Sequence, residues 1–320
     1  MGDNQWVLIL VCMIAAIIVI VGAVVGIRIA LHIRRVETIK NERRRDAVHY
    51  AFVINPSKPT AGETRAFIER FCTNRGIADI MFIETQLDKD GRACALEALE
   101  QGADVVIAVG GDGTVRTVAS AMGGTNHAMG IIPIGTGNLF ARNMNIPVGD
   151  LEAAMLIAIS HGSYKVDIGR LQLLDHPEED HAHAFLIIAG IGFDAVMIDD
   201  TDPKLKKNIS WLAYFVAGAK HLFAPKYHAS VVLTGANGDQ HVREDVEFRT
   251  FMSGNCGEIP VFSLMPDASF NDGLLDFEVI DTNGGIIGWM NLFGDVVHQT
   301  ITRKAQQSPL SVHSTIDQVQ

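Results

Sequence analysis

Two short glycine-rich segments hold the residues of this 320-residue sequence best suited to chemistry: Gly110-Gly111-Asp112-Gly113-Thr114 and Pro133-Ile134-Gly135-Thr136-Gly137-Asn138. Glycine lets the backbone approach a ligand closely and adopt positive φ. The first segment follows an apolar run and leads into a helical stretch over 115–122. Free N–H groups and the positive end of a helix dipole at that point suit phosphate. Asp112 alone would repel a phosphate. It makes sense with Mg²⁺ between its carboxylate and the phosphate oxygens, since magnesium takes one or two carboxylates together with substrate phosphates. Thr114 adds a hydroxyl donor. An ordinary tight strand-to-helix turn leaves most of these five residues unexplained, and neither a Gly-Lys-Ser/Thr P-loop nor a Gly-x-Gly-x-x-Gly fingerprint is present. The second segment offers glycines and the Thr136 hydroxyl to cap the same phosphates from the other side.

Such loops need rigid elements behind them. Residues 103–109 (ADVVIAV) form a continuous apolar run, as in a parallel strand buried on both faces. Upstream, 49–54 reads as a strand that ends in the turn signal Asn55-Pro56. Residues 62–75 have helical spacing, with Phe67, Ile68 and Phe71 on one face. A second strand at 80–84 and a second helix at 91–101 follow. The alternation predicts an α/β fold with a Rossmann-like parallel sheet in a domain over 48–145. After about residue 146 short apolar strands recur at 164–174, 184–191, 227–234, 245–252 and 274–280, with turn-rich stretches such as 235–240 between them. They predict an antiparallel β-sandwich domain over 146–320, interrupted by one apolar helix at 209–223.

The N-terminal region reads differently. Residues 6–27 contain no charged side chain. Twenty-two residues at ~1.5 Å rise give about 33 Å, enough for a ~30 Å hydrocarbon core. Trp6 stands where an interfacial aromatic belongs. Residues 28–45 carry seven Arg and Lys against Glu37 and Glu42. Residues 1–5 lack the basic start of a signal peptide. The expectation is a transmembrane anchor at 1–27 and a basic juxtamembrane stalk at 28–47. By the positive-inside rule this makes a single-pass protein of the cell membrane, N-terminus outside and body cytoplasmic, in contact with the bilayer.

A net charge of −11 argues against a general nucleic-acid binder, and 48% hydrophobic residues rule out bulk disorder. Four cysteines without CxxC spacing make a disulfide scaffold or a structural zinc site a poor fit. The polar run 175–183, with His176, His181 and His183, reads as a solvated loop, with metal binding as the alternative. The helix at 209–223 reads equally as a core helix or as one lying on a membrane.

Taken together, the GGDGT loop, the PIGTGN loop and the upstream Asn55-Pro56 resemble the diacylglycerol-kinase catalytic-domain family. The resemblance continues through Val166-Asp167-Ile168-Gly169, Gly190-Ile191-Gly192-Phe193-Asp194-Ala195, Trp211 to Tyr214, Pro266-Asp267-Ala268 and Asp272-Gly273-Leu274-Leu275-Asp276. It implies an ATP- and Mg²⁺-dependent lipid kinase with a membrane lipid as substrate and its active site between two domains. Residue by residue, it implies that Asn55, Thr85, Gly110, Gly111, Asp112, Gly113, Thr114, Gly135, Thr136 and Asn138 face the nucleotide. Ser269, Asp272 and the carbonyl of Leu274 correspond to a magnesium site that is structural in bacterial members; without the family, Asp272-Gly273 reads as a simple turn. Three departures stand out. Arg116-Thr117 replaces Asn-Glu, and Leu139 replaces an aspartate. The family's catalytic Asp-Gly-Glu follows a strand like 315–320, so it is expected beyond Gln320 and no residue of this chain is assigned as proton acceptor. A nucleotide- and lipid-binding protein with impaired transfer, or a fragment of such a kinase, is therefore the second reading, and an NAD kinase a third. The lipid's identity and the existence of a homo-oligomer are left open by the sequence.

Overall fold

The computed structural model describes residues 48–175, 183–192, 226–235, 238–258, 265, 267–280, 314–316 and 318–319. The first half alternates strands and helices. In chain order they are β1 (Tyr50–Ile54), α1 (Ala61–Arg75), β2 (Ile80–Glu84), α2 (Gly91–Glu100), β3 (Val105–Gly110), α3 (Asp112–Met122), β4 (Ala128–Pro133), α4 (Leu139–Asn143) and α5 (Leu151–Ala158). The four strands form one parallel sheet in the order β2-β1-β3-β4. Tyr50 is in register with both Ile80 and Val105.

Alternation along the central strands explains why they are apolar throughout. Tyr50, Phe52, Ile54, Ile107 and Val109 pack in one cluster with α1 and α5. Ala51, Val53, Val106 and Ala108 pack on the other side with α2 and α3. With helices on both faces, a strand has no side left for polar residues. The α2 and α3 surfaces meet through small residues, Cys94, Ala95, Ala98, Val118 and Ala119, all buried. Asp90 starts α2 by accepting a hydrogen bond from the Ala93 N–H at 3.0 Å, and Gly76 closes α1 in the left-handed conformation with φ 68°.

Helix α5 lies beyond the expected boundary at 145–146, yet Met155, Leu156 and Ala158 join the cluster of α1 and the sheet. The parallel-sheet unit therefore reaches at least Ala158.

The second half is antiparallel, as expected. Its strands are β5 (Gly169–Leu171), β6 (His183–Phe185), β7 (Ile188–Gly192), β8 (Tyr227–Thr234), β9 (Gln240–Phe248), β10 (Thr250–Gly254), β11 (Leu275–Ile280), β12 (Ser314–Ile316) and β13 (Gln318–Val319). They form sheets ordered β12-β11-β10-β7 and β13-β8-β9, and the pair β5-β6. These described strands do not by themselves make a sandwich. The helix expected at 209–223 and the histidines His176 and His181 lie outside the described residues; His183 opens β6.

The expected cellular location is corrected. Among the described residues no helix is long and apolar enough to cross a membrane. The longest, α1, has 15 residues, about 22 Å at ~1.5 Å per residue against a hydrocarbon core of ~30 Å. The segments that suggested an anchor and a stalk, 1–27 and 28–47, lie outside the described residues. The single-pass assignment, outside N-terminus and cytoplasmic body included, is set aside on that finding.

Candidate functional site

The strand order places a site before any side chain is considered. From β1 the chain moves to β2 on one side, then returns to β3 and β4 on the other. In open parallel sheets such a reversal leaves a crevice at the carboxyl ends of the strands. Here it falls between β1 and β3, and the loops leaving those strands begin with Asn55 and Gly111.

Asn55 ties that crevice together. Its N–H donates to the Val109 carbonyl at 3.0 Å. Its Oδ1 accepts from the N–H and the hydroxyl of Ser57, at 3.0 and 2.7 Å. Its Nδ2 donates to Thr114 Oγ1 at 3.2 Å. Thr114 is only 6% exposed, and its hydroxyl, which accepts from Asn55, braces the loop. The same hydroxyl explains Gly110: a β-carbon there would lie 2.4 Å from Thr114 Oγ1.

The two glycine loops face each other. A β-carbon on Gly135 would lie 2.4 Å from the Gly111 Cα, so neither loop admits a side chain at the contact. Asn138 shapes the second loop: it is left-handed with φ 50°, and its amide group exchanges hydrogen bonds with Gly135 N and O at 2.9 and 2.7 Å. Asp112 clasps the loops together, its Oδ1 accepting from the Phe140 N–H at 3.2 Å. Beside this contact Gly113 is exposed, with nothing within 4 Å of a built β-carbon. The first helical bond of α3 is Val115 N–H to Gly111 O at 3.0 Å. The N–H groups of Asp112, Gly113 and Thr114 thus have no partner inside the helix.

These residues fit a polyphosphate with a divalent ion. Open space meets helix N–H groups, and Asp112 keeps its Oδ2 for a cation while Oδ1 holds Phe140. Thr136 is exposed on the second loop. Thr85 follows β2 on the same edge, its N–H donating to the Ile54 carbonyl at 3.0 Å. A cavity of about 370 Å³ adjoins the second loop, with Thr60, Thr64, Gly135, Asn138 and Leu151 among its walls.

The expected second metal site lies in the turn before β11. The Ser269 hydroxyl donates to Asn271 Oδ1 at 3.0 Å, and Asp272 Oδ1 accepts from the Leu274 N–H at 3.0 Å. Gly273, at φ 79°, donates its N–H to Asp167 Oδ2 at 2.7 Å. These bonds shape the turn through Asp272 Oδ1 and leave its Oδ2, like that of Asp112, for a cation. No step below passes through this site.

One clamp had no sequence signal. Asn143 Nδ2 donates to the Glu258 carbonyl at 2.8 Å, and Asn143 Oδ1 accepts from the Glu258 N–H at 3.2 Å. It fastens α4, and with it the second glycine loop, to the antiparallel half. The partners stand 115 positions apart, beyond any local pattern.

Known proteins resemble this chain in sequence and in fold. Residues 49–171 match the family model described as the diacylglycerol kinase catalytic domain. A diacylglycerol kinase of Bacillus subtilis is 30% identical over 193 residues, 60% of this chain and 59% of that protein. A "Probable lipid kinase YegS-like" protein of Xanthomonas euvesicatoria is 31% identical over 210 residues, 62% of this chain and 63% of that one. The chain thus spans about three fifths of the curated relatives it matches. A crystal structure of a diacylglycerol kinase from Bacillus anthracis superposes with a TM-score of 0.58 at 21% identity, covering 85% of this chain and 84% of that one, which shows a common fold. Residues 49–171 therefore belong to the diacylglycerol kinase catalytic domain family, the family that the two glycine loops resemble.

Proposed function

We propose that this chain is an ATP-dependent lipid kinase that transfers the γ-phosphate of ATP to the hydroxyl of a lipid such as diacylglycerol. One observation carries the reading: two glycine loops in backbone contact at the switch point of a parallel sheet, with open space and free helix N–H groups beside them. The names of the relatives, a diacylglycerol kinase and a lipid kinase, support the acceptor class.

The chain's own residues divide the work. The N–H groups at the start of α3 hold phosphate oxygens. Gly111 and Gly135 keep side chains out of the loop contact, and Asn55 and Thr114 stiffen the first loop. Asp112 fixes the second loop through Phe140 and offers its other oxygen to magnesium. Thr85 and Thr136 line the rim. Mg²⁺, when bound, supplies positive charge against the phosphate oxygens. The parallel-sheet unit is the nucleotide domain, and the antiparallel half receives the lipid. A second reading, binding of nucleotide and lipid without transfer, is favoured by Leu139, where the resemblance implies a carboxylate.

Calorimetry on the full chain tests the nucleotide site. Asp112→Asn keeps an oxygen for the Phe140 N–H but loses the charge. It should melt like the wild type and bind Mg·ATP about tenfold more weakly, the worth of one charge-assisted contact. Asp112→Ala should lose affinity and thermal stability together. Labelled phosphate moving from ATP to diacylglycerol in mixed micelles supports the kinase reading, and Mg·ATP binding without transfer supports the second. Transfer to NAD alone, or no Mg·ATP binding by the wild type, would overturn both.

A further inference from the structure

We propose that Lys58 is a phosphate-binding residue whose ammonium meets the polyphosphate of the nucleotide from above Gly111. This rests on the nucleotide reading and adds a fixed cation to it.

Lys58 stands in the turn between β1 and α1, and that turn is well tied. The Lys58 N–H donates to the Asn55 carbonyl at 3.3 Å, and the Ala61 N–H donates to the Lys58 carbonyl at 3.0 Å. Asn55 Oδ1 holds Ser57 at two points. Pro56 and Pro59 flank the pair and restrict the backbone further. From this anchored position the side chain crosses to the neighbouring strand's loop. A β-carbon on Gly111 would lie 3.7 Å from Lys58 Cε and 3.8 Å from its Nζ.

The ammonium has no partner there. Among the described residues no carboxylate forms an ion pair with Lys58 and no hydrogen bond reaches its Nζ, although the residue is half-buried. Asp112, next in sequence to Gly111, turns its Oδ1 to Phe140 instead. Lys89 and Lys226, by contrast, are paired with Glu97 and Glu247. In a chain of net charge −11, a half-buried lysine left unpaired beside three free helix N–H groups lacks only an anion. An ammonium is a compact charge with three donors, well suited to phosphate oxygens. No local motif marks the residue, because Lys58 and Gly111 meet only through the pairing of β1 with β3.

The test compares Lys58→Ala, Lys58→Gln and Lys58→Arg with wild type in the full chain. Calorimetry is run with Mg·ATP, inorganic tripolyphosphate and adenosine. The alanine and glutamine variants should bind Mg·ATP and tripolyphosphate about tenfold more weakly, with adenosine unchanged, and the arginine variant should recover most of the loss. Binding of Mg·ATP should also become less salt-sensitive once the charge is gone. Melting temperatures should stay at the wild-type value, since the Lys58 side chain makes no hydrogen bond. If wild type binds Mg·ATP and tripolyphosphate and the alanine variant binds them equally well, this proposal falls alone. Equal loss of ATP and adenosine would mark a structural effect and overturn it too. A wild type that binds neither ATP nor tripolyphosphate overturns the nucleotide reading and takes the proposal with it.

Discussion

At the scale of single residues, two glycines of the site should separate folding from binding. Gly135 has no room: its β-carbon would meet the Gly111 Cα at 2.4 Å, and a backbone atom cannot swing aside as a flexible side chain can. Gly135→Ala should therefore cost about 1–3 kcal/mol, the usual range for overpacking, and weaken nucleotide binding by moving the loops apart. Gly113 lies in the first turn of α3 with nothing within 4 Å of its built β-carbon. Gly113→Ala should hold stability or raise it by up to ~1 kcal/mol through helix propensity. Its methyl would occupy the space proposed for phosphate, so Mg·ATP should bind more weakly all the same. Urea melts beside nucleotide titrations check both variants. A Gly113→Ala protein with wild-type affinity would move the phosphate elsewhere.

At the scale of elements, what the sequence reveals depends on whether burial leaves a pattern. β2 was expected at 80–84 and lies at Ile80–Glu84, and β1 and β3 stand out because both faces of the sheet are covered. Helix α5 was missed for the same cause in reverse. Its sequence, LEAAMLIA, is apolar nearly all round, and five of its eight residues are buried. An eight-residue helix without a polar face carries no amphipathic period to read. Its cap is legible in retrospect: Asp150 Oδ1 accepts from the Ala153 N–H at 2.9 Å, with Glu152 in the first turn. Asp150→Ala should cost about 1 kcal/mol in denaturant unfolding. An unchanged midpoint would mean that packing on β4 alone sets the helix start. The glycine loops were legible as composition, but what braces them was not. The Asp112–Phe140 and Asn55–Thr114 hydrogen bonds span 28 and 59 positions, and only the strand order brings those residues together. In the antiparallel half, 245–252 reads as one strand, whereas the structure divides it between β9 and β10 at Arg249.

At the scale of the whole molecule, the three cysteines among the described residues are buried free thiols that report on both halves: Cys72 on α1, Cys94 on α2, and Cys256 just after β10. Burial pushes Cys72 up to about 11 and Cys256 up to about 12, and it raises Cys94 as well. An unfolded chain loses these protons near pH ~8.5. Above that value the folded state binds more protons than the unfolded one, so stability falls as pH rises. The contribution is complete below pH ~8.5 and is lost as pH climbs towards 11–12. Melting temperature should therefore be level near neutral pH and decline above about pH 9. A Cys72→Ala, Cys256→Ala double variant should start lower, because each change leaves a small cavity, yet decline less steeply. The slope, not the starting point, is the readout. Self-repulsion in a chain of net charge −11 also grows with pH, but it acts on wild type and variant alike. If both proteins lose stability at the same rate between pH ~9 and ~11, that repulsion and not the thiols sets the alkaline limit.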